Sequence, residues 1–338
     1  MRSVAARVLI GLLGVFTLGS LAGAQSPPSA PWWAYGLPPA TDAPAAAPTA
    51  APPSGSGGPR QPDTSLKHVP ESTQAFTLAQ LRDFFNVADW FPGDHPAMPD
   101  VVVHGRAPDV RGCGMCHMPN GKGRPENAPI AGLPYSYIVQ QLADFKNGLR
   151  ASADSRKTNT AQMIQAAKAM TDDEIREAAT YLAAMPWTPW IRVVETETIP
   201  VMRISGNVFF PVADGGREPI GARIIETPED PARFELRDPR SGFIAYVPRN
   251  SVAKGAALAA SGGNKTLPCT VCHGSDLNGL GPVPGIAGRS PSYVVRQLWD
   301  IQRGTRKGTW SPLLQQVVAK LSQDDMLNLA AYIATLGR

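Results

Sequence analysis

At 338 residues the chain is long enough for two folded units, or for two joined by a smaller third piece. Its net charge of +4 is small and mixed in sign, with 18% of residues charged. That balance argues against a nucleic-acid binder, while it is compatible with steered docking to an acidic partner.

The chain opens like a secretory signal. Arg2 and Arg7 give a positive start, Val8 to Leu21 is apolar, and Ala22-Gly23-Ala24 fits a small-x-small cleavage site, so residues 1–24 are expected to be a signal peptide. An uncleaved membrane anchor is the alternative reading of the same run. Residues 25–70 are rich in Pro, Ala, Ser and Gly and read as an extended linker without a core. Trp32, Trp33 and Tyr35 stand out in it, as a clasp on the folded part, as a dock for a partner or as incidental linker aromatics. Thr77 is a plausible N-cap, with Leu78, Leu81, Phe84 and Phe85 behind it at core-facing helical spacing.

The most informative residues follow. Cys113-Gly114-Met115-Cys116-His117 and Cys269-Thr270-Val271-Cys272-His273 use all four cysteines of the chain. Thiols three apart on a helical turn face the same way and can add to two vinyl groups of one porphyrin. The next residue then offers its imidazole to the iron. Half of a zinc site or a redox dithiol is the competing reading. A zinc site requires both pairs to converge on one ion, and a dithiol needs no trailing histidine. Two covalently bound haem c groups are therefore expected, attached at Cys113, Cys116, Cys269 and Cys272, with His117 and His273 as iron ligands.

The signatures sit in an internal repeat. An offset of 156 residues (269 − 113) carries Ile130-Ala131-Gly132, Ser136-Tyr137, Gln141-Leu142, Asp144, Gly148 and Arg150 onto Ile286-Ala287-Gly288, Ser292-Tyr293, Gln297-Leu298, Asp300, Gly304 and Arg306. Further on the offset drops to 151 (332 − 181), and each copy closes with an amphipathic helix. Thr171 and Glu174 form the capping box of the first, and Ser322 and Asp325 that of the second. Gly105 and Gly255 are candidates for close helix crossings. Between the copies, short β-branched and aromatic runs from Val193 to Val247, separated by Pro, Gly and Asp, predict a small β-rich connector.

This motif set resembles small class I cytochromes c, and the duplication is similar to periplasmic dihaem cytochromes of that class. The expected fold is mainly α: haem domains at 71–188 and 248–338 in tandem, joined by a β-rich connector at 189–247. The resemblance implies a methionine as sixth iron ligand, at Met163 in the first copy, and a proximal-histidine carbonyl in the turns at Pro129 and Pro284. It also implies a choice for Arg150 and Arg306 between haem propionates and open surface. Met115 and Met118 are expected over the haem edge. The second copy departs from the pattern, because Leu314 stands where Met163 should recur. An open site, a ligand from elsewhere, or Lys307 or Lys320 are the alternatives.

The function implied is electron relay in the periplasm, with no catalytic residues. Electrons would pass from a dehydrogenase to a cytochrome or terminal oxidase, with membrane association only if the signal is uncleaved. A dihaem peroxidase-like enzyme and a gas-binding protein are the rivals.

Overall fold

The structure, a computed structural model, describes residues 29–39 and 63–337. The expected signal peptide and most of the expected linker lie outside them.

A single helical turn comes first, α1 (Trp32–Tyr35), ended by Gly36 at a positive φ of 63°. It is no loose linker segment: Trp33 and Tyr35 are 4% and 0% exposed and belong to the large core of the second repeat copy. α2 (Leu78–Leu81) begins at Thr77, the expected N-cap, which forms a full capping box with Gln80, but the helix lasts one turn. The side chain of Asp83 accepts a hydrogen bond from Phe85 N at 2.8 Å and turns the chain there, leaving Phe84 exposed.

The first repeat copy comprises α3 (Asp100–Val103), the hairpin β1 (Gly105–Arg106) and β2 (Val110–Arg111), α4 (Cys113–His117), α5 (Tyr135–Lys146), α6 (Thr158–Ala169) and α7 (Asp172–Ala183). Thr171 caps α7 through a capping box with Glu174. Ile175, Ala178, Ala179 and Leu182 face a core shared with Ile138, Leu142 and Phe145 of α5. Gly105 does not serve a helix crossing. It holds a positive φ of 62° in the hairpin, where an added Cβ would meet Val110 O at 2.2 Å.

Seven strands and a short helix follow: β3 (Ile191–Thr196), β4 (Thr198–Pro200), β5 (Met202–Ser205), β6 (Val208–Pro211), β7 (Arg217–Pro219), β8 (Ile225–Pro228), α8 (Pro231–Glu235) and β9 (Phe243–Pro248). β9 pairs parallel with β3 and antiparallel with β8, while β4 pairs with β7 and β5 with β6. One face joins the core of the second copy through Ile199, Phe209, Ile224, Ile225 and Val247. Arg124 Nη2, of the first copy, donates to Phe234 O at 2.7 Å.

The second copy contains α9 (Ser251–Ser261), α10 (Thr270–His273), α11 (Pro291–Gln302), α12 (Ser311–Val318) and α13 (Gln323–Thr335). Gly255 does permit a close crossing: a Cβ there would lie 1.9 Å from Asn328 O on α13. Equivalent hydrogen bonds recur in the two copies. Gly132 N donates to Leu182 O at 3.0 Å, and Gly288 N to Ile333 O at 2.8 Å. Among the described residues, no helix is long and apolar enough to cross a membrane.

The copies meet about a pseudo-two-fold axis. Ala151 N donates to Thr305 O at 2.9 Å and, equivalently, Lys307 N to Leu149 O at 2.7 Å. Arg150 bonds Gln141 of its own copy at 2.8 Å and reaches across to Tyr293 at 3.1 Å and Gln297 at 2.9 Å. Arg306 mirrors it, on Gln297 at 3.0 Å and across to Tyr137 at 2.8 Å and Gln141 at 2.9 Å. These are buried arginines, so open surface, one of the two readings of Arg150 and Arg306, does not hold. Five donors in a planar fork let one guanidinium serve both copies at once.

Candidate functional site

α4 is a single turn starting at Cys113, and it brings Cys113, Cys116 and His117 onto the wall of one cavity of about 540 Å³. Leu133, Ile138, Leu142, Phe145 and Ala178 supply an apolar interior. Met163, on α6, lines the same space. Sequence positions up to 50 apart therefore meet as the haem chemistry requires, in a volume ordinary for a cofactor site. The wall continues into the second copy through Tyr293, Arg296, Gln297 and Asp300.

His117 Nδ1 lies 2.9 Å from Ala128 O, and His273 Nδ1 lies 2.8 Å from Pro284 O. Ala128 and Pro284 are repeat equivalents at the 156 offset, so the carbonyl in the first copy belongs to Ala128 rather than Pro129. Pro129 O instead accepts from Arg289 at 3.1 Å. A ring whose Nδ1 donates to a carbonyl keeps Nε2 as its basic nitrogen, the arrangement expected of a metal-ligating histidine. Burial holds both imidazoles below their ordinary pKa, and the positive Arg150 adds to this at His117. Both are thus neutral, as coordination needs.

A redox dithiol or a zinc site relies on a depressed thiol pKa, and Cys113, Cys116 and Cys269 depart from that. Burial pushes Cys113 up to about 12, and it raises Cys116 and Cys269 as well. Among the described residues, no three His, Cys, Asp or Glu side chains gather as metal ligands, so the two cysteine pairs do not converge on one ion.

One end of the cavity is polar. Lys157 lines it, buried, and donates to Tyr35 O at 3.1 Å; burial and the neighbouring Arg296 push its pKa down to about 6. Glu126 lines it too, and its Oε2 is buried without a hydrogen-bond partner. Neither residue was flagged by motif reasoning, since a lone Lys or Glu carries no signature.

Other expectations fall elsewhere. Met115 and Met118 are buried but do not line the cavity. Arg237 donates to Met115 O, and Met118 lies beside Arg124 of its own copy and Trp190 and Phe234 of the connector. His95 lies 3.2 Å from Asp89, and His104 Nδ1 lies 3.3 Å from Phe85 O.

The second signature lies at the surface. Cys269 is half-buried against the core and Cys272 is exposed. Leu267, Val271, Leu280, Trp310 and Leu313, on both sides of it in sequence, are each more than half exposed. Apolar side chains in this density ask for a cover.

Residues 107–186 match the cytochrome c family. The chain is 38% identical over 74 residues to cytochrome c-552 from Acidithiobacillus ferridurans, covering 22% of this chain but only 31% of that protein. It is 24% identical over 237 residues to a thiosulfate dehydrogenase electron acceptor from Stutzerimonas stutzeri (strain A1501), 69% of this chain and 83% of that one. It is 35% identical over 81 residues to cytochrome c-554(548) from Halomonas halodenitrificans, 24% of this chain and 98% of that protein. With the histidine geometry and the apolar cavity, these matches show that the chain belongs to the cytochrome c family, whose members carry covalently bound haem c.

Proposed function

We propose that the protein is a periplasmic dihaem electron carrier. One haem c would be held by Cys113 and Cys116 with His117 and Met163 as axial ligands. The other would be held by Cys269 and Cys272 with His273. The domains proposed are those of the repeat, joined by the β-rich segment. Haem c, when bound, supplies a one-electron iron couple whose potential is set by ligands, burial and nearby charge.

The observation that carries this reading is the shared wall of the first cavity. It combines the first signature with Tyr293, Arg296, Gln297 and Asp300 of the second copy. A cofactor filling it would touch both copies, so residues of the second copy would help to hold and tune the group attached to the first. Arg150 and Arg296 place buried positive charge at that junction, where the acidic edge of a porphyrin would be stabilised. Glu126 opposes them with its unpartnered oxygen, so the balance of charge is set by this chain's own side chains.

A dehydrogenase is proposed as donor, with another cytochrome or a terminal oxidase as acceptor. The name of the relative that accepts electrons from thiosulfate dehydrogenase supports the donor class. The exposed apolar residues beside the second signature would be covered by their haem, which leaves that haem the nearer to solvent.

Intact mass and a pyridine haemochrome assay on exported protein test the reading. Two haems per chain are expected, one lost on Cys113→Ala with Cys116→Ala and the other on Cys269→Ala with Cys272→Ala. A single haem in the wild type would refute it.

A further inference from the structure

The two copies share their proximal side and differ on the distal side. His117 and His273 make the same Nδ1 contact to equivalent carbonyls, 2.9 and 2.8 Å. Gly123 N to His117 O and Gly279 N to His273 O are both 2.8 Å. Distally, the offset of 151 relates positions that pack alike. Ala167 and Val318 are both 0% exposed, and Met170 and Leu321 are 4% and 5% exposed. Lys146, on α5, donates to Met170 O at 3.4 Å. Its equivalent Gln302 donates to Val318 O at 2.6 Å and to Leu321 O at 2.8 Å. α12 is thus held in the same register as α6, and Leu314 occupies the structural position of Met163. Both are half-buried against the core of their own copy.

Leucine has no lone pair to offer a metal. The remaining donors of the second copy are placed elsewhere. Met326 is 0% exposed in the core and is the packing equivalent of Ile175. Lys307 is exposed, with its backbone tied to Leu149 O in the junction between copies. Lys320 is exposed and stands at the position of Ala169, one turn and a half beyond Leu314. His273 is the sole histidine after His117 in the chain.

We propose that the second haem site leaves one axial position of the iron without a protein ligand and accepts there a small neutral diatomic ligand of the carbon monoxide or nitric oxide class. This rests on the dihaem reading above and deepens it. The ligand class follows from the surroundings. Leu313, Leu314 and Trp310 bring apolar carbon to the helix that should carry the ligand. An anion or a peroxide needs a hydrogen-bond donor when it is taken out of water, and an alkyl wall supplies none. A neutral diatomic needs none.

Full-length protein reduced with dithionite and exposed to carbon monoxide reads the proposal. The expected result is a carbon monoxide difference spectrum from half of the haem. Leu314→Met, a swap that conserves volume, should abolish it. Met163→Leu should extend it to all of the haem. A chain with two haems by mass and no spectral change with carbon monoxide would overturn the open position and leave the dihaem reading intact. A response that persists undiminished in Leu314→Met would overturn it as well. A chain with one haem by mass would sink both readings.

Discussion

His95 carries an ionic contact, with Nε2 3.2 Å from Asp89 and Nδ1 2.9 Å from Pro96 O. Its ring stands edge-on to Tyr181 at 6.1 Å. Burial alone would lower its pKa, but the bonds to Asp89 and Pro96 and the charges of Asp89 and Asp94 outweigh that and hold it above 6.5. The protonated form is therefore favoured by folding. That contribution is complete below the unfolded imidazole value and fades as pH rises through the elevated native one. His95→Gln should cost stability near pH 5 and little near pH 8. Denaturation midpoints measured across that range would show the difference closing, and a constant difference would remove the charge argument. At this scale the sequence was informative where chemistry has a fixed spacing: Cys113, Cys116 and His117 line one cavity, and Met163, which only the resemblance singled out, lines it too. It did not give the partners that Arg150 and Arg306 bind across the copies. Their recurrence was visible, but a guanidinium that reaches into the opposite copy depends on a junction that no local pattern encodes. The retained Tyr137-x-x-x-Gln141 and Tyr293-x-x-x-Gln297, polar residues one helical turn apart on both copies, were the trace of it.

At the scale of elements, caps were legible and lengths were not. Thr171 and Ser322 form the expected boxes and Thr77 is the expected N-cap, because side chain and backbone partner lie three residues apart. The end of α2 escaped notice because Asp83 competes with the helix for the chain. Of the two glycines expected at crossings, Gly255 fits because α9 runs against α13, whereas the first copy has only the four-residue α3 in that place. Gly255→Ala should destabilise the fold by about 1–3 kcal/mol, since the added methyl meets backbone that cannot move aside. A thermal unfolding midpoint unchanged from wild type would contradict that crossing. The offset change from 156 to 151 also has a structural meaning. The five residues missing from the second copy correspond to part of the 151–157 loop, and in the first copy this loop carries Arg156 and Lys157. Those two grip Pro38 O at 3.1 Å and Tyr35 O at 3.1 Å.

At the scale of the molecule, the segment 29–39 ties the pieces together. Tyr35 Oη donates to Asp300 at 2.6 Å, Arg296 donates to Ala34 O, and Asn207 of the β-rich segment donates to Gly36 O at 3.2 Å. Composition concealed this, because proline and alanine around three aromatics look alike whether the aromatics dock or not. Tyr35→Phe removes a buried donor and leaves Asp300 Oδ1 with Ala153 N alone, at a cost of about 1–3 kcal/mol. Urea unfolding should show the loss as a lower midpoint. A variant as stable as wild type would mean that the hydroxyl only replaces a water.

The contact between Tyr35 and Asp300 spans 265 positions of the chain. Ribosomes deliver residues in order, so the aromatic turn emerges well before its seat. Until Arg296 and Asp300 have been made, Trp33 and Tyr35 lack the partners that hold the turn in place. The earlier segment thus waits for the later one, and a truncated product, lacking Asp300 and Arg296, would leave an unlatched aromatic segment for quality-control proteases to find.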